Sequence, residues 1–345
     1  MFLLKKHALI GIACILFIQT SQLQAFRFVV YSDCRAPKAD WDTKPFPANL
    51  FNIPVLGFIN GYIAGLYPKP SFAIFMGDLI NRAFPKADPS VTSNLEYWKT
   101  WMTQSLGDIK LYVGIGNSDL YGTTWWTELP LQEEFAQTFS DMPDNGPQTP
   151  VDFRHLTYSF EHGEGTEKSL FVVLDSFGIY GTEPGAIHCD NDFDPVGYDD
   201  EQINWFAQQT QSSSAKHKFV LAHGPAFSAL GYPVGANVRR IWNIAVAHHF
   251  DTFFCAHEHI YLRSNISNTT TTAIDNVLVQ QLTGDAGALP DNPARYNNPN
   301  PRIYFGYNFV VVDVDGNNIT QHAYKVVPNG NSFSVELLDT LVIAK

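Results

Sequence analysis

TFFCAHEHIY, residues 252–261, runs an apolar segment straight into two histidines that flank a glutamate. Side chains alternate on extended backbone, so His257 and His259, two apart, should point the same way. Imidazoles held like that can share a metal ion, or they can be an ordinary surface or core pair. Partners elsewhere in the chain decide between these readings.

Five further apolar runs also stop at a polar cluster. Phe26–Tyr31 precedes Ser-Asp, Phe72–Met76 precedes Gly-Asp, and Leu111–Ile115 precedes Gly-Asn-Ser-Asp. Leu170–Leu174 precedes Asp-Ser and Phe219–Ala222 precedes His-Gly-Pro. Helical patterns lie between the runs. In NLEYWKTWMTQSL, Leu95, Trp98, Trp101, Met102 and Leu106 share one face, and DEQINWFAQQ opens on acids, as a helix N-terminus prefers. Strands alternating with helices predict an α/β sheet, whose ligands gather at the carboxyl ends of the strands. YNFVVVDVDGNNITQHAYKV reads as a hairpin turning at Asp315-Gly316-Asn317, which adds antiparallel strands. The loops 142–150, 182–199 and 289–301 are candidate site walls.

The clusters at the strand ends supply the ligand set Asp33, Asp78, Asn117, His223, His257 and His259. Carboxylate, amide oxygen and imidazole together suit Zn, Mn or Fe better than Ca. Two such cations sharing a carboxylate clamp the attacking and leaving oxygens of a phosphoryl displacement.

The chain has 345 residues, 45% of them hydrophobic and 16% charged, which describes a folded globular protein. A net charge of −12 without a basic run argues against nucleic acid or an anionic membrane surface as partner. Lys5 and Lys6, the apolar stretch Ala8–Ile18 and the small Ala25 follow the order of a secretory signal over residues 1–25. A retained anchor is the alternative. Cleavage would remove two lysines and no acid, taking the charge from −12 to −14. The expected product is a secreted or periplasmic protein with a single domain over 26–345 and no stable membrane insertion. It keeps Cys34, Cys189 and Cys255, which allow one disulfide at most, with the pairing left open.

SDCR at 32–35, GDLIN at 77–81, GNSD at 116–119, AHGP at 222–225 and AHEH at 256–259 stand in this order at strand ends. With FVVLDS at 171–176 and DEQINWF at 200–206, the pattern resembles the calcineurin-like metallophosphoesterases, a superfamily that includes purple acid phosphatases, acid sphingomyelinases and endopolyphosphatases. The resemblance spans about residues 26–325 and implies two mixed β-sheets packed as a sandwich, flanked by helices, with the metal site at the C-terminal rim of the strands. It also implies phosphoester hydrolysis by a metal-bound hydroxide attacking phosphorus in line, on a phosphorylated small molecule or a polyphosphate-like substrate. Carried over by residue, Asp33, Asp78 and His259 hold a first metal, Asp78 bridges, and Asn117, His223 and His257 hold a second.

Three positions depart from the family. Arg35 stands where the first motif has a ligand histidine, and Asn81 stands where purple acid phosphatases place a ligand tyrosine, so the first site is expected to be weak. Arg35 either faces the substrate phosphate or pairs with a surface carboxylate, and Cys34 is either a thiolate ligand or a small buried residue. Ser118 replaces the histidine that protonates the leaving group, and Asp119 beside it either orients Asn117 or a water or caps the turn. Arg35, Ser118 and Asp119 are therefore the catalytic candidates, with His188 a possible substitute acid. The alternatives are a non-catalytic metal- or phosphate-binding member of the fold and a lactamase-like zinc hydrolase, which Tyr261 disfavours by its position two residues after the pair. Separately, Asp190, Asp192, Asp194 and Glu201 match the spacing of a calcium loop, although Pro195 stands where that loop needs glycine.

Overall fold

A computed structural model describes residues 25–40, 43–81, 93–120, 128–149, 152–164, 168–177, 197–232, 234–266, 278–296 and 302–345. The expected signal segment, His188, Cys189 and the acidic stretch 190–196 lie outside the described residues.

The strands are β1 (Phe26–Tyr31), β2 (Phe72–Phe75), β3 (Lys110–Val113), β4 (Tyr158–His162), β5 (Ser169–Leu174), β6 (His217–Ala222) and β7 (Thr252–Cys255). They continue with β8 (Tyr261–Ile266), β9 (Leu278–Thr283), β10 (Ile303–Tyr304), β11 (Asn308–Asp315), β12 (Asn318–Asn329) and β13 (Ser332–Ala344). The helices are α1 (Ile53–Ala64), α2 (Asn94–Leu106), α3 (Glu128–Thr138), α4 (Asp200–Ser212) and α5 (Val238–Ala247). The six apolar runs correspond to β1, β2, β3, β5, β6 and β7.

Two mixed sheets result. One runs β13-β12-β11-β1-β2-β3 and the other β10-β8-β9-β7-β6-β5-β4. Each has a parallel centre: β1 with β2 and β3, and β5 with β6, β7 and β9. The hairpin β11–β12 turns through Gly316 at φ 57°, a conformation that costs glycine little, and β11 pairs antiparallel with β1.

An aromatic seam joins the sheets. Phe28 of β1 meets Phe171 of β5 at 5.0 Å and Phe219 of β6 at 5.2 Å, edge to face, and Phe72 of β2 meets Phe171 at 5.2 Å. Such pairs contribute about 0.5–1.5 kcal/mol each beyond the apolar area they bury. The helices begin as their sequences suggest. Ser93 accepts from the Glu96 amide at the start of α2, and Asp199 accepts from the Gln202 amide at the start of α4. Leu95, Trp98, Met102 and Leu106 of α2 are buried, while Trp101 lies half-buried against Phe51.

Candidate metal centre

The parallel centres of both sheets deliver their carboxyl ends to one rim. Asp33 and Asp78 follow β1 and β2, Asn117 follows β3, His223 follows β6 at once, and His257 and His259 lie beyond β7. Backbone bonds tie these turns together. The Asp33 amide donates to Gly77 (3.1 Å), the Ala256 amide to His223 (2.8 Å), and the Ala286 and Ala288 amides to Ser32 (2.7 Å) and Asp33 (2.9 Å). Asp33, Asp78 and His257 have positive φ angles of 58°, 54° and 69°. Non-glycine residues seldom adopt this conformation, and where they do it is often at functional sites. Gly77 and Gly116 let the ends of β2 and β3 close up: a Cβ on Gly116 would lie 2.3 Å from the Asp78 amide nitrogen.

Around these turns the six expected ligands converge. Asp33 Oδ1 lies 3.4 Å from His259 Nε2 and 3.9 Å from His223 Nε2, and Asp78 Oδ1 lies 3.3 Å from His223 Nε2. Asn117 Oδ1 sits 3.2 Å from His223 Nε2 and 3.0 Å from His257 Nδ1. Asp33, Asp78 and His223 each bring one donor atom within 4.8 Å of the others. Behind the imidazoles stand backbone carbonyls, with His223 Nδ1 2.9 Å from that of Met76 and His259 Nδ1 2.6 Å from that of Leu289. A carbonyl there fixes the Nδ1–H and turns Nε2 toward the carboxylates, an arrangement common among metal-binding histidines. Asp33 Oδ1 is buried without a hydrogen-bond partner among the described residues. This donor set fits a divalent cation.

One expectation needs correction. The two histidines of AHEH are not side by side on a strand, because β7 ends at Cys255 and His257 takes a left-handed turn. Their rings therefore serve different partners, Asn117 for His257 and Asp33 for His259.

Charge is tightly managed here. Burial alone would raise the Asp78 carboxyl, but His223, Arg35 and the Ser118 hydrogen bonds outweigh it and hold Asp78 below the usual carboxylate range. Burial and the neighbouring His223 push the His257 imidazole well down. Burial would also lower His259, yet the Asp33 carboxylate, 3.4 Å from its Nε2, raises it to about 9.

The three catalytic candidates face inward. Arg35 Nε donates to Asp78 Oδ2 at 2.9 Å, so the arginine pairs with a buried carboxylate of the site itself and not with one on the surface. Ser118 donates twice to Asp78, from its amide to Oδ1 (2.8 Å) and from its hydroxyl to Oδ2 (2.7 Å). Of the two readings of Asp119, capping is the one the geometry matches, because its carboxylate is turned into the protein. It accepts from the amides of Asp78 (3.0 Å), Leu79 (2.9 Å), Ile80 (3.4 Å) and Gly116 (2.9 Å), so it positions the β2 and β3 turns. Burial and the Asp78 charge push its carboxyl well up, against the pull of those amides.

Cys34 is the small buried residue of the two readings. Its thiol donates to the Leu79 carbonyl, accepts from Trp98 Nε1, and is pushed up by burial. Cys34 and Cys255 are both free thiols. Asn81 is fully buried and donates to the Pro37 carbonyl at 3.3 Å.

Sequence reasoning overlooked several neighbours. Glu258, between the two histidines, turns away and accepts from the Ala229 amide through both oxygens, holding the loop that sets Tyr232 against His257 at 4.9 Å. Arg295 lies over the Tyr232 ring and pairs with Asp291, which accepts from the His259 amide. Asp285 is fully buried with both carboxylate oxygens unbonded among the described residues, and burial pushes its carboxyl well up. It follows β9 in a Gly-Asp step like Gly77-Asp78, a signal that could have found it.

A family model described as calcineurin-like phosphoesterase matches residues 27–261. Among solved structures, PhoD superposes with a TM-score of 0.63 at 13% identity, over 94% of this chain and 70% of its own. The purple acid phosphatase PPD1 from yellow lupin (Lupinus luteus) seeds gives 0.61 at 14% identity, over 94% of this chain and 54% of its own. The chain thus spans about half the length of the lupin protein. GAP50, the anchor in the inner membrane complex of Plasmodium, gives 0.58 at 10% identity, over 93% of this chain and 89% of its own. Identities this low establish a shared fold. No curated protein matches the chain in sequence.

Proposed function

The chain belongs to the calcineurin-like phosphoesterase family, and from that premise we propose that it is a metal-dependent hydrolase of phosphoesters or phosphoanhydrides. The observation that carries this reading is the orientation of His223 and His259, each backed by a backbone carbonyl and turned toward Asp78 or Asp33. Asn117, His223, His257 and Asp78 would hold the cation. When bound, it supplies Lewis acidity toward a phosphoryl oxygen and makes water a nucleophile at neutral pH. Asp33, whose donor oxygen lies within 4.8 Å of those of Asp78 and His223, would add a ligand, and His259 orients Asp33. Asp119 keeps Asp78 and Gly116 in register, and the Phe177 ring, 5.6 Å from that of His223 and 5.1 Å from that of His257, shields the imidazoles from water. Secretion after loss of residues 1–25 would confine the substrate to phosphorylated small molecules or polyphosphate outside the cytoplasm.

Metal analysis of the purified protein with a panel of aryl, alkyl and anhydride phosphates tests the reading. Turnover that needs metal, and is lost with the metal in His223→Ala and His257→Ala while the fold persists, is the expected result. Losing one ligand of such a site typically lowers affinity by one or more orders of magnitude. Full metal and activity in both variants would refute the assignment.

The Arg35–Asp78 ion pair favours a second reading, a member of the fold that binds metal or phosphate without turnover. Stoichiometric metal with no hydrolysis across the panel would select it.

A further inference from the structure

Asp78 is the carboxylate that would have to bridge two cations, and its oxygens are already engaged. Oδ2 accepts from Arg35 Nε at 2.9 Å and from the Ser118 hydroxyl at 2.7 Å. A carboxylate oxygen offers two lone-pair directions, so two donors leave Oδ2 nothing for a metal. Oδ1 accepts from the Ser118 amide at 2.8 Å and keeps its second direction toward His223 Nε2, 3.3 Å away. The lone pair still open on Asp78 therefore faces the His223 side.

Arg35 is well placed to remain there. Its backbone forms a bridge with Phe51, its side chain is 17% exposed, and its partner carboxylate is 1% exposed. A guanidinium stays charged at any working pH and cannot itself bind a metal. A divalent cation at Oδ2 would meet both a filled oxygen and a fixed positive charge. Neither alternative ligand replaces Oδ2: the Cys34 thiol is bonded into the core, and Asn81, its amide tied to the Pro37 carbonyl, offers one neutral oxygen without a partner among the described residues.

We infer that Arg35 is a built-in cation standing in for the first metal, so that the chain binds one divalent ion, on the His223 side of Asp78. Asp33, Asp78, Arg35 and that ion then bring two negative and three positive charges together, which leaves one net positive charge for an anionic substrate. This inference rests on the proposed metal-dependent reading, and the two can fail separately.

The test is titration of the metal-stripped full chain with Zn²⁺ or Mn²⁺ by isothermal calorimetry, checked by elemental analysis. One ion per chain is expected for the wild type. Two would overturn the inference but leave the metal reading intact, whereas none would overturn the metal reading itself. Arg35→Ala frees Oδ2, and a second binding event should then appear. Arg35→Lys keeps a cation there and should stay at one. An Arg35→Ala isotherm identical to wild type in a folded protein would refute the stand-in role. Should Arg35→Ala fail to fold, the wild-type stoichiometry decides.

Discussion

Replacing Asp119 by alanine separates a positioning role from a chemical one. The carboxylate accepts three well-formed amide bonds, from Asp78, Leu79 and Gly116 at 2.9–3.0 Å, and a longer one from Ile80 at 3.4 Å. Removing it leaves donors with no acceptor in a site closed to solvent, since Asp119 is fully buried. Each orphaned buried donor costs about 1–3 kcal/mol. Relief of the repulsion between Asp119 and Asp78 and of the cost of burying the carboxyl returns part of that sum. A net loss of about 3–6 kcal/mol follows, a large share of the ~5–15 kcal/mol that holds a typical domain. Urea unfolding followed by circular dichroism should show the midpoint falling steeply for Asp119→Ala and less for Asp119→Asn, which keeps one acceptor oxygen. If Asp119→Ala unfolds within about 1 kcal/mol of wild type yet is inactive, the carboxylate acts in the chemistry and the positioning argument is wrong.

Two further outcomes follow from the same geometry. The Ser118 hydroxyl donates to Asp78 and cannot protonate a leaving oxygen, so hydrolysis rates should fall steeply as leaving-group pKa rises; a positioned acid would supply roughly 10²–10⁴-fold, and equal rates on aryl and alkyl phosphates with chemistry limiting would sink the idea. Burial, opposed by the Gln202 amide and reinforced by Glu201 and Asp200, raises the Asp199 carboxyl to about 6. An acid raised on folding leaves the protein unpenalised below about pH 4 and costs stability as pH climbs toward about 6, by at most about 1 kcal/mol once screening at a partly exposed site is allowed for. Asp199→Asn should thus raise the melting temperature at pH 8 relative to pH 4, and an equal effect at both pH values would contradict this.

The six strands were legible because each holds a short apolar run that stops at a polar cluster, most of it covered on both faces. β8 and β9 were not. They carry Arg263, Gln280 and Gln281 into the interior, and what makes this tolerable is tertiary. Arg263 pairs with Asp339 of β13, and Gln280 exchanges hydrogen bonds with the Phe227 backbone. The edge strand β10 has two residues, too few for a pattern, and β4, YSFEH, breaks its apolar pattern with Glu161 and His162. At the rim, residue types announced the ligands but not their direction. Asp119 looked reactive because it ends a motif, and only the fold shows four amides converging on it. Likewise the chain alone shows an arginine at position 35 but not that it reaches the carboxylate forty-three residues on.

Asp33, Asp78 and His257 share the left-handed backbone that turns their strands over the rim. Asparagine, aspartate and histidine enter that conformation several-fold more readily than other side chains, and β-branched residues hardly at all. At these positions the alphabet acceptable to the backbone and the alphabet able to donate a lone pair nearly coincide. Exchanges within it split the two demands. At position 33 or 78, asparagine keeps the turn and loses the charge, glutamate keeps the charge and strains the turn, and valine or isoleucine forfeits both. Mutational drift away from a working site should therefore run first through asparagine and glycine, leaving chains that still fold with their rim intact and their charge gone.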